Sequence, residues 1–240
     1  MRLVKAILFI LITLIVLGIL AMVATMLFSG RIVRTAVETA GTRTLNVRVD
    51  ADRASASLLS GAVALHGITV ANPPGFQGPA LLQLGQVSLR AETRSLLTSE
   101  VLIRDMQLDN MEVFVEQKGL QNNLYQVVKP LREPHPPTGR SLVIDNLEIR
   151  NVTVHVALAA LPGRPQSVDL QLPAIRMTDL GRNEKMDTAA LIGKILLAVT
   201  EGIARQSGGI LPPETIGDLG TVLDKALDLG KIILGGQKKQ

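Results

Sequence analysis

The feature that most restricts this fold is a pattern of alternating apolar residues written twice between Val87 and Val156. One copy reads Val101-x-Ile103-x-Asp105-Met106-x-Leu108-x-Asn110-Met111-x-Val113-x-Val115. The other reads Leu142-x-Ile144-x-Asn146-Leu147-x-Ile149-x-Asn151-Val152-x-Val154-x-Val156, offset by 41 residues (142 minus 101). A period of two puts alternate side chains on one face of a strand. The phase slips at Asp105/Asn146 and again at Asn110/Asn151, where short polar side chains suit a turn or bulge. Each copy reads as short strand, bend, strand, bend, strand with a single apolar face. Such a face cannot hide itself, so the copies are expected to join in one larger sheet. A third copy, from Ser57-Leu58-Leu59 to Val70, aligns with Ser95-Leu96-Leu97 to Leu108 at an offset of 38 (95 minus 57).

Composition removes several classes of function. The 240 residues contain no Cys, so there is no disulfide framework, thiolate metal site or cysteine nucleophile. Net charge is +4, and Arg2 and Lys5 precede the first apolar run, which leaves the rest nearly balanced. With no Trp, one Tyr and four Phe, two of which (Phe9 and Phe28) lie in that run, a base-stacking platform is not expected. Nucleic acid is therefore not an expected partner.

Ala6 to Gly30 carries no charge over 25 residues. As a helix rising 1.5 Å per residue it would cross a hydrocarbon core of about 30 Å. It is too long for a signal-peptide core, and no Ala-x-Ala exit follows. Residues 1–30 read as a transmembrane anchor and 31–41 as a juxtamembrane helix stopped by Gly41. Strand patterns begin at Leu45-x-Val47-x-Val49. Residues 42–180 read as the β domain, with Asn72-Pro73-Pro74-Gly75-Phe76 as a loop, since neither proline can donate to a sheet. A short helix is expected over Asn123 to Val128, ended by Pro130. Residues from Glu133 to Arg140 read as a linker or exposed loop. Short strands are expected on either side of Pro173. Asp187 can cap a helix from Thr188 to about Arg205, with Leu191, Ile195, Val199 and Ile203 in one stripe. A second helix follows from Pro213 to Leu229, so 187–234 is a C-terminal helical segment and 235–240 a flexible tail. Both amphipathic helices suit packing on the open side of the sheet; membrane contact or partner docking is the other use of such a face. The fold class is α+β, mainly β.

No catalytic motif occurs: neither Gly-x-Ser-x-Gly, His-Glu-x-x-His, Gly-x-Gly-x-x-Gly nor a phosphate-binding loop. His66, His135 and His155 fall in three separate elements, and Asp50, Asp52, Asp105 and Asp109 read as turn residues that cap backbone groups. No catalytic residue, metal site or cofactor is expected.

Taken together, the anchor, the helix ending at Gly41, Ser57-Leu58-Leu59-Ser60-Gly61, Leu65-x-Gly67-Ile68-x-Val70, Asn72-Pro73-x-Gly75-Phe76, Ser95-Leu96-Leu97, Ile103-x-Asp105, Val113-x-Val115-Glu116 and Asn123-Leu124 resemble the N-terminal module of AsmA-like proteins. These are bacterial envelope relatives of TamB and of chorein-type lipid-transfer proteins. The resemblance covers about residues 1 to 130 and, more loosely, runs to 156. It implies an inner-membrane anchor, a periplasmic body and a curved, mostly antiparallel sheet with an apolar groove that binds or passes lipid acyl chains in envelope homeostasis. At roughly 3.3 Å per residue one short module does not span a periplasm unaided.

The expected groove or core residues are Leu65, Ile68, Val70, Val101, Ile103, Leu108, Val113, Ile144, Ile149 and Val154; the sequence does not separate an open groove from a covered core. A membrane lipid is the expected partner. The other reading is a non-catalytic accessory or scaffold subunit on a larger membrane complex. Orientation is contested: Arg31, Arg34, Arg43 and Arg48 lean toward a cytoplasmic body by the positive-inside rule, whereas the resemblance puts Arg2 and Lys5 in the cytoplasm and the body in the periplasm.

Overall fold

The computed structural model describes residues 30–57, 59–118, 121–128, 131, 140–157 and 167–206. Helix α1 occupies residues 30–45. Strands β1 (Val49–Ser57), β2 (Ala62–Val70) and β3 (Leu82–Ala91) form an antiparallel meander. A short 3-10 helix, η1 (Thr93–Leu97), leads into β4 (Glu100–Lys118). After β5 (Gln121–Asn122) and α2 (Asn123–Val128) come β6 (Ser141–Ala157), β7 (Ser167–Leu172), β8 (Ile175–Leu180) and α3 (Thr188–Gln206). The sheet runs in the order β1-β2-β3-β4-β6-β7, with β8 on β6 and β5 on β4. Strands β7 and β8 lie end to end along β6, interrupted at Pro173 and Ala174.

The written repeat becomes a physical pair. Strands β4 and β6 are parallel neighbours, and their register joins Val101 to Leu142, Ile103 to Ile144, Asp105 to Asn146 and Val113 to Val154. Every pair carries the offset of 41, because matching apolar phases must meet for both strands to bury the same face. All other pairings are antiparallel. The third copy is β2, two strands away and running the same way as β4.

The phase slip at Asn110 and Asn151 belongs to the whole sheet. Asn110 (φ 56°), Asn151 (φ 52°) and Gly67 (φ 62°) are left-handed. The ladders skip 52/67, 67/85, 85/110 and 110/151 in succession, and the same line meets the β7–β8 break at Pro173. Along this crease two successive residues of each strand face outward, for example Asp52 and Arg53, or Gly85 and Gln86. Close approach explains the glycines: a Cβ on Gly67 would lie 2.0 Å from Asp52 Oδ2, and one on Gly85 would lie 3.0 Å from Asn110 Cβ.

A second break lies at residue 104. Arg90 faces Asp105 and Ala91 faces Ile103, so Arg104 is the extra residue of a bulge. The line continues through the skipped pairs at 104/145 and 145/179 to Asp179 (φ 55°). The expected short strands are thus single strands, 19 residues in β4 and 17 in β6, each interrupted in phase and not in pairing as a whole.

Several expectations need correction. Gly41 does not stop α1, which continues to residue 45; it sits against Val49, where a Cβ would meet the side chain at 3.1 Å. The helix ends instead at Asn46, whose φ of 54° suits a residue just past a helix end. Leu45 and Val47 therefore precede β1, although both remain buried. Asp50, Asp52, Asp105 and Asp109 lie in β1 and β4 and not in turns. The anchor expected over residues 1–30, apart from Gly30 at the start of α1, the linker over 133–139, the second C-terminal helix and the 235–240 tail lie outside the described residues. Among the described residues no helix is long and apolar enough to cross a membrane.

Helix α1 covers the outer edge of the sheet. Thr42 Oγ1 accepts the Val49 N–H at 3.0 Å and Glu38 Oε1 accepts the Ala51 N–H at 3.1 Å, while the Arg34 guanidinium donates to the Asp52 carbonyl at 3.1 Å. Side chains thus stand in for a neighbouring strand. The Arg34 guanidinium, 2.8 Å away, and then the Ala51 N–H hold the Glu38 carboxyl below its usual range; Glu38 in turn raises Arg34.

Candidate functional site

The inner face of the sheet consists of four rows that each cross six strands. In register they are Val49-Val70-Leu82-Val113-Val154-Leu170, Ala51-Ile68-Leu84-Met111-Val152-Leu172, Ala54-Leu65-Val87-Leu108-Ile149-Ile175 and Ala56-Val63-Leu89-Met106-Leu147-Met177. No aromatic, polar or charged side chain interrupts them. At a strand spacing of about 4.8 Å, five gaps make this aliphatic surface roughly 24 Å wide. Two further pairs of the repeat, Val101-Leu142 and Ile103-Ile144, extend it toward the β4 start.

All ten sequence-predicted residues meet in one apolar cluster. Leu65, Ile68, Val70, Ile103, Leu108, Val113, Ile144, Ile149 and Val154 are buried, the last four almost completely, and Val101 is half-buried against them. Helix α3 contributes Leu191, Ile195, Leu196, Val199 and Ile203 to the same cluster, and α2 contributes Leu124, Val127 and Val128. The predicted cap is present: Asp187 Oδ1 accepts the Ala190 N–H at 2.9 Å. Helix α3 rides close on β7 at Gly202, where a Cβ would come within 3.0 Å of Leu172 Cδ1. Ala51, Ala54 and Ala56 complete the rows on β1, a contribution that alternation of large residues does not reveal.

The outer face is polar and partly hollow. A depression of about 470 Å³ lies over Ser55, Ser57, Ala62, Ala64 and Ser88, bounded by Arg90, Asp105 and Gln107. A neighbouring one of about 220 Å³ continues past Asp105 and Gln107 to Asn146, Glu148 and Arg176. Small side chains on β1–β3 make the hollow; Arg176 is held by Glu148 at 2.8 Å. Along the second break the charges alternate: Glu92, Arg104, Asp145, Arg182 and Asp179 are joined as successive ion pairs. On the crease Asp109 takes the Asn110 N–H at 3.0 Å, Asn151 Nδ2 at 2.7 Å and Arg150 at 3.0 Å. The Glu92 and Asp145 carboxylates raise Arg104 through hydrogen bonds, Asp145 first.

A third cluster gathers several motif residues. Glu116 Oε2 accepts the N–H groups of Gln77 and Gly78 at 2.8 and 2.9 Å. Buried Asn123 donates to Asn72 Oδ1 and to the Phe114 carbonyl, each at 2.7 Å, and its Oδ1 accepts the Glu116 and Leu124 N–H groups. Lys118 closes on the Gly75 carbonyl at 2.8 Å. The Asn72–Gly78 loop is therefore clamped to the end of β4 and the start of α2, and its polar residues satisfy backbone groups.

Comparison with protein-family models, curated proteins and solved structures finds no match. Function therefore has to be read from the geometry. His66 lies on β2 and His155 on β6, and His135 falls outside the described residues. His155 Nδ1 is 2.8 Å from Asp169 Oδ1, and its ring stacks on Phe114 with centroids 4.9 Å apart. Among the described residues no Ser, Thr or Lys side chain is hydrogen-bonded to that ring, and no three His, Asp or Glu side chains converge on a metal-sized site. The arrangement that stands out chemically is the uninterrupted aliphatic face under its helical cover.

Proposed function

We propose that this chain is a membrane-anchored, non-enzymatic protein of the AsmA-like kind, with its body in the periplasm, that binds or passes lipid acyl chains on the aliphatic sheet face and so contributes to envelope homeostasis. One observation carries this reading: four rows of aliphatic side chains cross six strands without a polar or aromatic interruption. A flexible acyl chain needs such a surface and no directional partner.

In this reading α3 is a displaceable cover. Exposing its five buried apolar side chains costs about 1.5–3 kcal/mol each, or roughly 8–15 kcal/mol in all. A chain that buries about 14 methylenes at ~0.8 kcal/mol each returns about 11 kcal/mol. The exchange is near balance for long chains and unfavourable by about 2–9 kcal/mol for chains of about eight carbons, which return only about 6 kcal/mol.

A staple tests this. A Cβ on Gly193 would lie 3.8 Å from Leu131 Cβ, the spacing a disulfide requires. Since the chain has no cysteine, Gly193→Cys with Leu131→Cys gives one defined bond. Native mass spectrometry of the full chain from mild detergent should show long-chain phospholipid adducts in wild type and in the reduced variant, and none in the oxidised variant. Adducts that are absent throughout, or indifferent to oxidation, reject the reading.

A second reading is an accessory subunit on a larger membrane complex. It is favoured by the covered state of the face and by the edge of β7 and β8, which pair only with β6 among the described strands. Crosslinking in native membranes should then recover one stoichiometric partner, and a lone monomer speaks against it.

A further inference from the structure

We infer that the end of the sheet formed by the β1–β2 turn and η1 lies on a lipid bilayer, with Leu59 and Leu97 dipping into it. Three large hydrophobic side chains stand exposed among the described residues: Ile32 at 68%, Leu59 at 76% and Leu97 at 88%. All three are at the same end. Strand β1 ends there, β2 and β4 start there, and the Ala91 N–H donates to the Gly61 carbonyl at 2.8 Å, which ties the turn to the approach to η1.

Helix α1 runs antiparallel to β1: Thr42 meets Val49, Glu38 meets Ala51, and Gly30 lies against the Ala54 carbonyl. Its first described residues, with Ile32, therefore reach the level of Ala54 and Ser55. From Ser55 to Leu59 is four residues, at most about 13 Å of strand. The uncharged run of 25 residues, Ala6 to Gly30, leads directly into this end of α1.

Leu59 and Leu97 occupy the same place in two copies of the Ser-Leu-Leu motif, 38 residues apart. An apolar residue displayed twice at a sheet end, with its neighbour Leu96 turned into the core, is not a packing requirement. The charge beside them suits anionic headgroups. Arg31 and Arg94 make no ion pair among the described residues, while Glu92 is taken up by Arg104 and only Glu100 is left without a cation on η1 and its flanks. The tips are thus an apolar wedge with a basic rim. A protein partner would fit such leucines too; the entry of the uncharged run at the same end decides for lipid. The placement rests on reading residues 6–30 as the anchor.

The absence of cysteine makes the test direct. Full-length chains carrying Leu59→Cys, Leu97→Cys or, at the opposite end, Gln77→Cys are labelled with an environment-sensitive fluorophore. They are then reconstituted into phosphatidylethanolamine–phosphatidylglycerol vesicles and floated. We expect co-flotation, with labels at 59 and 97 blue-shifted and quenched by doxyl groups on the acyl chains, and the label at 77 in water. A chain that fails to float overturns the anchor and this placement with it. A chain that floats with 59 and 97 as wet as 77, or shielded from water but unquenched by doxyl lipid, overturns the placement alone.

Discussion

At Gly67 two demands coincide. The backbone sits at φ 62°, and the space where a Cβ would stand is filled by Asp52 Oδ2. Left-handed backbone costs a residue with a side chain about 1–2 kcal/mol, and the clash adds to it. We expect Gly67→Ala to lower stability by about 2 kcal/mol or more, and Asp52→Ala to restore part of that loss in the double variant by removing the carboxylate. Urea denaturation of the full chain in detergent measures both, and additive single effects would show that contact with Asp52 plays no part. Asn110 and Asn151 meet the same conformational demand differently, since a short polar side chain tolerates this region and Asn151 also bonds Asp109. Asp105 and Asn146 look alike in sequence, yet neither has positive φ; their phase slip comes from the bulge at Arg104. One sequence sign therefore has two backbone solutions, and only neighbouring strands select between them.

Helix α1 shows how an element can close a sheet edge with side chains. Glu38 is lowered by Arg34 and by the Ala51 N–H, so its charged form is favoured in the folded chain. Its contribution is complete above the ordinary glutamate value of about 4.3 and is lost as pH falls through the lower folded value. After correction for intrinsic exchange, protection of the Ala51 amide should fall as pH drops below about 4.3. In Glu38→Gln it should start lower and stay flat. Hydrogen exchange read by mass spectrometry across β1 decides this; equal pH dependence in both proteins would mean that another group governs the edge.

At the scale of the whole molecule, burial and exposure divide the leucine and isoleucine positions by purpose. Ile149 is fully buried between Leu108 and Ile175 in the third row. Ile149→Ala should cost about 2–5 kcal/mol. Leu59→Ala and Leu97→Ala should stay within about 0.5 kcal/mol of wild type, as expected of residues that face outward. Chemical denaturation of the three variants gives the comparison, and a large loss from either leucine would assign it to the core.

Much of this architecture follows from local pattern. Period-two alternation, its two phase slips and the offset of 41 determine which side of β4 and β6 is apolar, because only one register lets both strands bury the same residues. The Asp187 cap and the four-residue stripe likewise determine α3, and Pro173 determines the break between β7 and β8. Other features depend on distance in space. That Gly41 is a packing contact and not a helix stop was decided by Val49, eight residues on. That the slip at Asn110 is one crease through six strands was decided by Gly67, Gly85 and Asn151 falling in line. That Leu65 and Val154 are buried while Leu59 and Leu97 are bare was decided by tertiary packing. Alternation states which side of a strand is apolar; what rests against that side is set by segments far along the chain, and no local pattern encodes it.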